Sequence, residues 1–422
     1  MSEENERPVS VEKIDQPDSE AKSGLAADRL QSAVGSASNI SQSGVYLSAC
    51  LGRRFRSGND IQLLDSGDEI FPAMLAAIDN AESHIEFQTF VYWGGAIART
   101  FAEHLADAGK RGVRVRVLLD AFGSKSIDKE AALLLEQHCE LCWFRPLAWF
   151  RFGKNLKRSH RKLLICDGDV GFTGGVGIGE QWTGDGCSAG NWRDIHFRLR
   201  GPILETLQAT FLENWLEACP AEDYVQKFTS EISAYMDGQE NILALPSTAS
   251  DFWSPAGTMI YSAITAARHS LRITTPYFTT DKKLASLLRD AHNRGVEVQI
   301  ILPDYEQSDS RLAALAALRS IQPLLGAGIQ LYGFEPTFIH SKCILIDDEV
   351  AIVGSVNFNQ RSQRKDDEFS LVIDRGEAVT ALIETFLRDL SQCRQLKEKS
   401  FRKRYYLPAI FAQIIEPFRR HI

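Results

Sequence analysis

Long hydrophobic runs are absent from this sequence of 422 residues. No stretch approaches the roughly 20 consecutive apolar residues that a membrane-spanning helix requires. The amino terminus opens on acidic and polar residues, which do not form a secretory signal peptide. These absences predict that any contact with a membrane is peripheral.

An excess of positive charge is also absent, because acidic residues outnumber basic ones and the formal net charge is -8 at pH 7. Such a balance argues against a protein that coats nucleic acid, so no nucleic-acid partner is expected. Glycine-rich nucleotide-binding signatures and metal-ligand clusters are absent as well. The sequence therefore predicts a protein that needs no cofactor and no metal, and it leaves the oligomeric state open.

The cysteines form no recognisable framework. All eight are scattered along the chain, and Cys139 and Cys142 make a lone CxxC without the second pair that a metal site needs. Scattered cysteines without a secretory signal are typical of reduced thiols in a cytoplasmic setting. We therefore expect Cys139 and Cys142 to be buried structural residues of a strand.

From about residue 58 the chain contains the same order of elements twice. Apolar periodicity predicts in the first half a strand at 58–64, a helix at 70–81, a strand at 84–92, a helix at 97–109 and a strand at 113–120. In the second half it predicts a helix at 259–267, a strand at 270–278, a helix at 284–293 and a strand at 296–303. Gly112 and Gly295 end the corresponding helices, where glycine adopts a left-handed conformation without steric cost.

This repetition predicts an α/β fold of two tandem halves, each a mixed β-sheet flanked by helices, related by pseudo-two-fold symmetry. We expect the first half at 46–220 and the second half at 240–393. Residues 1–45 are poor in aromatic residues and rich in small and acidic ones, which indicates disorder. A basic, aromatic tail follows at 394–422.

Each half carries one copy of an HxKxxxxD motif. The copies consist of His160, Lys162 and Asp167 in the first half and of His340, Lys342 and Asp347 in the second. The residues between lysine and aspartate are apolar in both copies, which is typical of a strand buried on both faces. Because side chains alternate along a strand, histidine and lysine are expected on one face. Two copies at corresponding positions indicate a shared catalytic site.

These residue types suit phosphodiester chemistry. One imidazole can attack phosphorus and form a phosphohistidine, while the opposite imidazole protonates the leaving oxygen and later deprotonates the incoming alcohol or water. Lys162 and Lys342 would hold the non-bridging oxygens, and Asn357 would add an amide donor.

Four acids accompany the motifs. Asp194 and Glu368, which follow the first and second motifs, are candidate partners for the second ring nitrogen of the histidines. Asp167 and Asp347, at the ends of the apolar runs, have two possible roles. They either contact substrate or brace the turn that follows, and the second role is favoured.

The paired motifs resemble the phospholipase D superfamily over about residues 58–393, and within it the bacterial cardiolipin synthases. The segments that carry the resemblance are 159–162, 171–175, 192–196, 276–278, 354–357 and 361–362. The resemblance implies transfer of a phosphatidyl group between phospholipids, with phosphatidylglycerol as the expected donor and acceptor. It also implies a peripheral protein on the cytoplasmic side of the cell membrane.

One position departs from that resemblance. Gly177 stands where similar proteins place an asparagine after the first glycine pair, so the first half lacks the amide donor that Asn357 supplies in the second. We hypothesise that Gly177 alters acceptor choice or slows one half-reaction.

Two segments combine aromatic and basic residues, as expected at the headgroup level of an anionic membrane. They are the stretch 143–158 before the first motif and the tail at 394–422. The alternative is a solvated basic loop and a tail packed on the body of the protein.

Two other functions remain open. A phosphodiesterase of the same superfamily, either a lipase or a nuclease, would use water as acceptor, and the nuclease would need a long basic groove. A non-enzymatic scaffold is disfavoured, because both motifs are complete.

Overall fold

The computed structural model describes residues 40–146, 157–219, 235–250, 253–399 and 401. Helices in these ranges are α1 (Gln42–Leu51), α2 (Gly67–Asp79), α3 (Ala96–Lys110), α4 (Lys129–His138), α5 (Leu204–Ala218), α6 (Pro255–Ala266), α7 (Lys282–Asn293), α8 (Arg311–Gly326), α9 (Gln360–Arg364) and α10 (Glu377–Ser391).

Strands that precede residue 220 are β1 (Arg56–Gly58), β2 (Asp60–Asp65), β3 (His84–Thr89), β4 (Arg114–Asp120), β5 (Glu140–Phe144), β6 (Arg158–Ser159), β7 (Leu163–Cys166), β8 (Val170–Gly174) and β9 (Ile195–Arg200). Those of the second half are β10 (Gly238–Ser247), β11 (Ser270–Thr274), β12 (Glu297–Pro303), β13 (Gln330–Phe334), β14 (Cys343–Ile346), β15 (Val350–Gly354), β16 (Asp366–Asp374) and β17 (Cys393–Gln395).

The described strands form two mixed sheets. The first has the order β2-β9-β8-β7-β3-β4-β5, and the second has the order β1-β10-β16-β15-β14-β11-β12-β13-β17, with β6 beside β16. In each sheet three consecutive strands are parallel, namely β3, β4 and β5 in the first and β11, β12 and β13 in the second. Antiparallel strands continue each sheet, so the predicted α/β fold with two mixed sheets is confirmed.

The predicted elements of both halves are present, with bounds shifted by a few residues. Strands β7 and β14, which contain the apolar runs of the motifs, are buried along their whole length. Gly112 and Gly295, each two residues after the last residue of α3 and α7, adopt φ angles of 94° and 92°. These angles belong to the left-handed region, so the helices end as the glycines predicted.

The histidine and lysine of each motif lie outside the strands, which corrects the prediction that the strand carries them. Strand β7 begins at Leu163 and β14 at Cys343, each one residue after the motif lysine. The backbone of each histidine pairs instead with the opposite half. His160 N–H donates to the carbonyl of Asp367 at 2.8 Å, and His340 N–H donates to that of Arg193 at 2.7 Å.

Helix α1 starts at Gln42, inside the segment 1–45 expected to be disordered, so that expectation is wrong for the last residues of the segment. Ser41 caps the helix through its hydroxyl, which accepts from Gly44 N–H at 3.0 Å. Leu47 is fully buried in the core of the second half. The strand β1 that follows pairs with β10, so this amino-terminal segment belongs with the second half.

Cys142 and Cys219 are paired as a disulfide, with Cα atoms 6.4 Å apart. This corrects the expectation that all thiols are reduced. The two residues are 77 positions apart in the sequence, and they meet because α5 packs beside β5. The spacing of the cysteines in the sequence therefore did not reveal this disulfide. Cys139, the other cysteine of the CxxC, is a partly buried free thiol.

Three apolar clusters make up the described core. One lies within the first half around α2, α3 and β3, and another within the second half around α6, α7 and β11. The third contains residues from both halves, including Phe197 and Trp215 from the first and Phe369 and Phe386 from the second. This shared cluster holds the two motif-bearing regions against each other.

Several predicted segments lie outside the described residues. They are residues 1–39, the part of the aromatic and basic stretch at 147–156, and the tail from 402 onward. Among the residues that are described, none of the helices has the length and apolar character needed to cross a bilayer.

Candidate active site

His160 and His340 line one pocket of about 420 Å³ at the junction of the two halves. Lys162 and Asn357 line the same pocket, and the Lys342 ammonium influences the pKa of both histidines. The structure thus brings the histidines and lysines of both motifs together with Asn357, although the two motifs are far apart in sequence.

His160 is oriented by groups of the second half. Its Nδ1 lies 3.0 Å from the carbonyl oxygen of Ser355 and 3.0 Å from Oε2 of Glu368. A carbonyl oxygen only accepts hydrogen bonds, so Nδ1 carries the hydrogen. The lone pair of Nε2 is then available for chemistry in the pocket.

His340 is oriented by an acid of the first half. Its Nδ1 lies 2.6 Å from Oδ2 of Asp194, which also accepts from Trp182 Nε1 at 3.1 Å, while Oδ1 accepts from Ile195 N–H at 2.9 Å. Gly175 makes room for this carboxylate, because a Cβ there would lie 2.3 Å from Asp194 Oδ1.

The two carboxylate–imidazole pairs are therefore crossed between the halves. Asp194 follows the first motif in sequence but contacts the histidine of the second, and Glu368 follows the second motif but contacts the histidine of the first. The site is complete only when both halves are in place.

Both lysines are buried beside the histidines. Lys342 Nζ lies 2.9 Å and 3.0 Å from the two ring nitrogens of His340, and Lys162 Nζ donates to the carbonyl of His160 at 2.8 Å. Burial lowers the pKa of Lys162 to about 8 and that of Lys342 to about 7, because a charged ammonium loses its hydration. A bound phosphodiester would restore both charges.

The imidazoles are neutral near pH 7. Burial, followed by the ammonium of Lys342, lowers the pKa of His340 to about 3. Burial and the two lysines also hold the pKa of His160 well below its usual value. Because a neutral imidazole retains a nucleophilic lone pair, either ring can attack phosphorus.

The pKa values of the two acids are shifted in opposite directions. Burial alone would raise the pKa of Asp194, but Lys342 and His340 hold it far below its usual range. Burial raises the pKa of Glu368 to about 7, since its surroundings offset the penalty less completely. The two carboxyls thus lie in different electrostatic environments, although each contacts one motif histidine.

Asn357 also lies in the pocket, as the sequence predicted. Its carboxamide oxygen Oδ1 is buried and has no hydrogen-bond partner among the described residues. A buried polar group of this kind is costly unless a ligand satisfies it. The position fits a residue that binds a polar substrate group.

Asp167 and Asp347 do not line the pocket, so substrate contact, the less favoured of their two predicted roles, is corrected in favour of bracing a turn. Asp167 accepts from the backbone N–H groups of Glu82, Ser83 and His84 at 2.8–2.9 Å. Asp347 makes the equivalent bonds to residues 268–270. Each lies at the far end of a strand, roughly 16 Å along the chain from its lysine, and braces a turn.

Aromatic side chains surround both imidazoles. Phe90 packs against His160 with ring centroids 5.2 Å apart, and Trp182 and Trp192 pack against His340 at 5.3 Å and 5.6 Å. These rings account for much of the burial that lowers the pKa of the histidines. Sequence reasoning did not assign them to the site, because aromatic residues in such runs are equally typical of a core.

Polar residues of the pocket were missed as well. Asp309 accepts from the hydroxyl of Tyr277 at 2.6 Å, and Arg361 donates to Asp366 at 2.9 Å. Asp309 follows the carboxyl end of the parallel strand β12, which is where α/β sheets commonly place ligand contacts. That position was a signal available in the sequence.

Fold and site together define a phospholipase D-like protein. A phosphatidylserine synthase of Haemophilus influenzae shares the fold with a TM-score of 0.66 at 14% identity, over 90% of this chain and 98% of that chain. At that identity the likeness concerns the fold alone. The family described as "Cardiolipin synthase, PLD-like domain" matches residues 74–185 and 260–390, which include both motif-bearing regions.

Curated relatives agree with this assignment. Cardiolipin synthase 1 of Bacillus cereus is 32% identical over 86% of this chain and 71% of its own length. The cardiolipin synthase of Halalkalibacterium halodurans is 31% identical over 82% of this chain and 69% of its own length. The chain belongs to the cardiolipin synthase, phospholipase D-like family and is an enzyme of the phosphatidyltransferase type.

Proposed function

We propose that this enzyme is a cardiolipin synthase that transfers a phosphatidyl group from one phosphatidylglycerol to the hydroxyl of another. The observation that supports the proposal most directly is the pair of crossed carboxylate–imidazole contacts around one pocket. Two oriented imidazoles on opposite sides of a phosphodiester are what a two-step displacement requires.

The proposed reaction runs through a phosphohistidine. One neutral imidazole forms an Nε2–P bond while the P–O bond to the leaving glycerol breaks. The other imidazole supplies the proton to that oxygen. The pKa of this second imidazole is low in the free enzyme. A bound, negatively charged phosphodiester raises that pKa, because an opposite charge favours the imidazolium form.

The second step reverses these roles. The imidazole that lost its proton takes one from the hydroxyl of the acceptor, whose oxygen attacks phosphorus and breaks the N–P bond. Lys162 and Lys342 stabilise the charge on the non-bridging oxygens in both steps. We further propose that this takes place at an anionic membrane surface on the cytoplasmic side.

Product analysis tests the proposal. The full-length protein is incubated with labelled phosphatidylglycerol in mixed vesicles with EDTA present, beside His160→Ala and the control His104→Ala. His104 is a partly exposed residue that pairs with Asp79 and lies outside the pocket. Cardiolipin plus glycerol from wild type and control, lost in His160→Ala, is the expected result.

Two other results would contradict the proposal. Phosphatidic acid as the sole lipid product would mean that water is the acceptor. Equal cardiolipin formation by wild type and His160→Ala would remove the phosphohistidine mechanism. Mass spectrometry of acid-sensitive adducts on His160→Ala and His340→Ala identifies the nucleophile, because only one of the two variants can retain the adduct.

A further inference from the structure

The two halves of the pocket can be compared residue by residue. Isolated parallel bridges join Tyr92 to Ile178 in the first half and Phe278 to Phe358 in the second. Each bridge links the residues just beyond equivalent strands, so it aligns the halves. The residue before each bridge partner is then also equivalent, and Val91 corresponds to Tyr277 and Gly177 to Asn357.

The first half contributes an apolar wall. Val91, Phe90 and Phe122 line the pocket on this side. Gly177 lies behind Val91 and leaves no space for a side chain, because a Cβ there would lie 2.7 Å from Val91 Cβ. This wall offers no hydroxyl or carboxylate at the positions equivalent to Tyr277 and Asn357.

The second half presents hydrogen-bonding groups instead. The Tyr277 hydroxyl donates to Asp309 at 2.6 Å, and both residues line the pocket together with Asn357. The Tyr277 ring packs edge-on against the imidazole of His340, with centroids 6.4 Å apart. Asp309 lies in the loop between β12 and α8 and is accessible to solvent.

An accessible carboxylate beside a reacting imidazole suits one class of ligand. A carboxylate accepts about four hydrogen bonds, and the Tyr277 hydroxyl provides one. The hydroxyl groups of a polyol can provide others. Water or an alcohol with one hydroxyl cannot react at phosphorus and donate to this carboxylate through a second group.

We propose that Asp309, oriented by Tyr277, binds a non-reacting hydroxyl of a polyhydroxy alcohol headgroup whose reacting oxygen lies beside His340. The inference rests on the proposed transferase function and deepens it, because it assigns acceptor selectivity to the second half of the pocket. A leaving glycerol and an entering glycerol headgroup use the same subsite, because the second transfer step is the chemical reverse of the first.

Competition between acceptors tests the subsite. The donor is phosphatidyl-p-nitrophenol in mixed vesicles, whose leaving group has no second hydroxyl. Glycerol and 1-propanol are present at equal concentration. The measured quantity is the ratio of phosphatidylglycerol to phosphatidylpropanol for wild type, Asp309→Asn, Tyr277→Phe and the control Glu306→Gln.

The ratio is insensitive to the amount of folded enzyme, because both products come from the same intermediate. We expect Asp309→Asn to lower it roughly 5- to 15-fold, because the carboxamide keeps a neutral acceptor but loses the charge that strengthens the hydrogen bond. Tyr277→Phe should lower it in the same direction. Glu306, three residues from Asp309 and exposed on the same loop, should leave it at the wild-type value.

Failure of the subsite and failure of the transferase are distinguishable. A wild-type ratio in Asp309→Asn, with both alcohol products formed, would overturn the subsite and leave the transferase intact. Formation of phosphatidic acid without either alcohol product by the wild-type protein would refute the transferase, and the subsite with it.

Discussion

At the scale of single residues, the motif histidines depend on acids that lie beside the other motif in sequence. Asp194 contacts His340 and Glu368 contacts His160. If the acids orient their histidines, loss of an acid should reproduce the loss of the histidine it contacts. The crossed contacts therefore pair each acid with the histidine of the other motif in a kinetic experiment, whereas proximity in sequence would pair it with the histidine of its own motif.

We predict that Asp194→Asn shares the kinetic defect of His340→Ala, and that Glu368→Gln shares that of His160→Ala. Each acid variant should slow the affected half-reaction roughly 100- to 10,000-fold, the range of general acid–base contributions. Single-turnover release of p-nitrophenol reports the first half-reaction, and alcohol product formation reports the second. Pairing of Asp194→Asn with His160→Ala would contradict the crossed arrangement.

Asp167 illustrates a motif residue whose role is structural. Burial would raise its pKa, but hydrogen bonds from the backbone of Glu82, His84 and Ser83 hold the pKa below its usual value. A lowered carboxyl pKa stabilises the fold above the unfolded pKa, and this contribution is lost as the pH falls through the folded pKa. Asp167 has a φ of 54°, which asparagine also tolerates.

We predict that Asp167→Asn lowers the free energy of unfolding by about 1–3 kcal/mol at pH 7 without changing acceptor selectivity. The difference from wild type should shrink as the pH falls below about 4. Urea unfolding at several pH values measures it. Asp169→Asn, which removes a surface pair with Arg200, is the control and should cost under about 1 kcal/mol.

Residue types and spacing were enough to predict which histidines and lysines meet at the pocket. His160, Lys162, His340 and Lys342 were predicted because imidazole and ammonium in a duplicated pattern have few structural explanations. Their acids were identified as candidates, but the crossing was beyond sequence reasoning. It depends on how two sheets pack, and local spacing does not encode that.

At the scale of elements, the loop after β8 shows why one substitution cannot test Gly177 by itself. The nearest atoms to a Cβ at this position are Val91 Cβ at 2.7 Å and Val91 Cγ1 at 3.2 Å, followed by the Trp182 ring at 3.3 Å. Val91 Cβ is attached directly to the backbone, so it cannot rotate away. An asparagine at 177 would disturb packing before it could influence the acceptor.

We predict that Gly177→Ala costs about 1–3 kcal/mol of stability through overpacking, and that Val91→Gly in the same protein recovers part of this cost, because it removes the Cβ that the new methyl group meets. A double-mutant cycle measured by urea unfolding gives the coupling between the two sites. Strict additivity would contradict the close contact. The effect of Gly177→Asn on acceptor choice is then best measured in the Val91→Gly background.

The amino-terminal helix shows the limit of composition. Residues up to 45 were predicted to be disordered, yet α1 begins at Gln42 with Ser41 as its cap. Few apolar residues are needed here, because Leu47 enters a core that the second half has already built. Composition measures whether a segment can form its own core, and it does not detect docking onto a distant one.

At the scale of the whole molecule, the duplication is visible in sequence, but the dependence of one half on the other is not. Pseudo-symmetry predicted two sheets and one site, and both sheets are present. The shared apolar cluster and the disulfide between Cys142 and Cys219 required the three-dimensional arrangement. Long-range pairs of this kind leave no periodic signal.

Arg193 connects the halves through both its backbone and its side chain. Its N–H donates to the carbonyl of Phe338 at 3.0 Å, and its carbonyl accepts from His340 N–H at 2.7 Å. Its guanidinium donates to Asp389 at 2.9 Å, and both side chains are at most 4% exposed. The backbone that positions His340 is thus anchored by a buried ion pair between the halves.

We predict one cooperative unfolding transition for the part of the chain that contains both sheets. Every tryptophan except Trp253 precedes residue 220, so tryptophan fluorescence follows mainly the first half, while circular dichroism follows both. Coincident urea transitions by the two methods are expected.

Arg193→Met should lower the free energy of unfolding by about 3–5 kcal/mol, because it leaves Asp389 buried and unpaired. Adding Asp389→Asn should recover part of that loss, since it removes the buried charge. Separate transitions, or an Arg193→Met cost confined to the fluorescence signal, would show that the halves fold independently and that the crossed site assembles only afterwards.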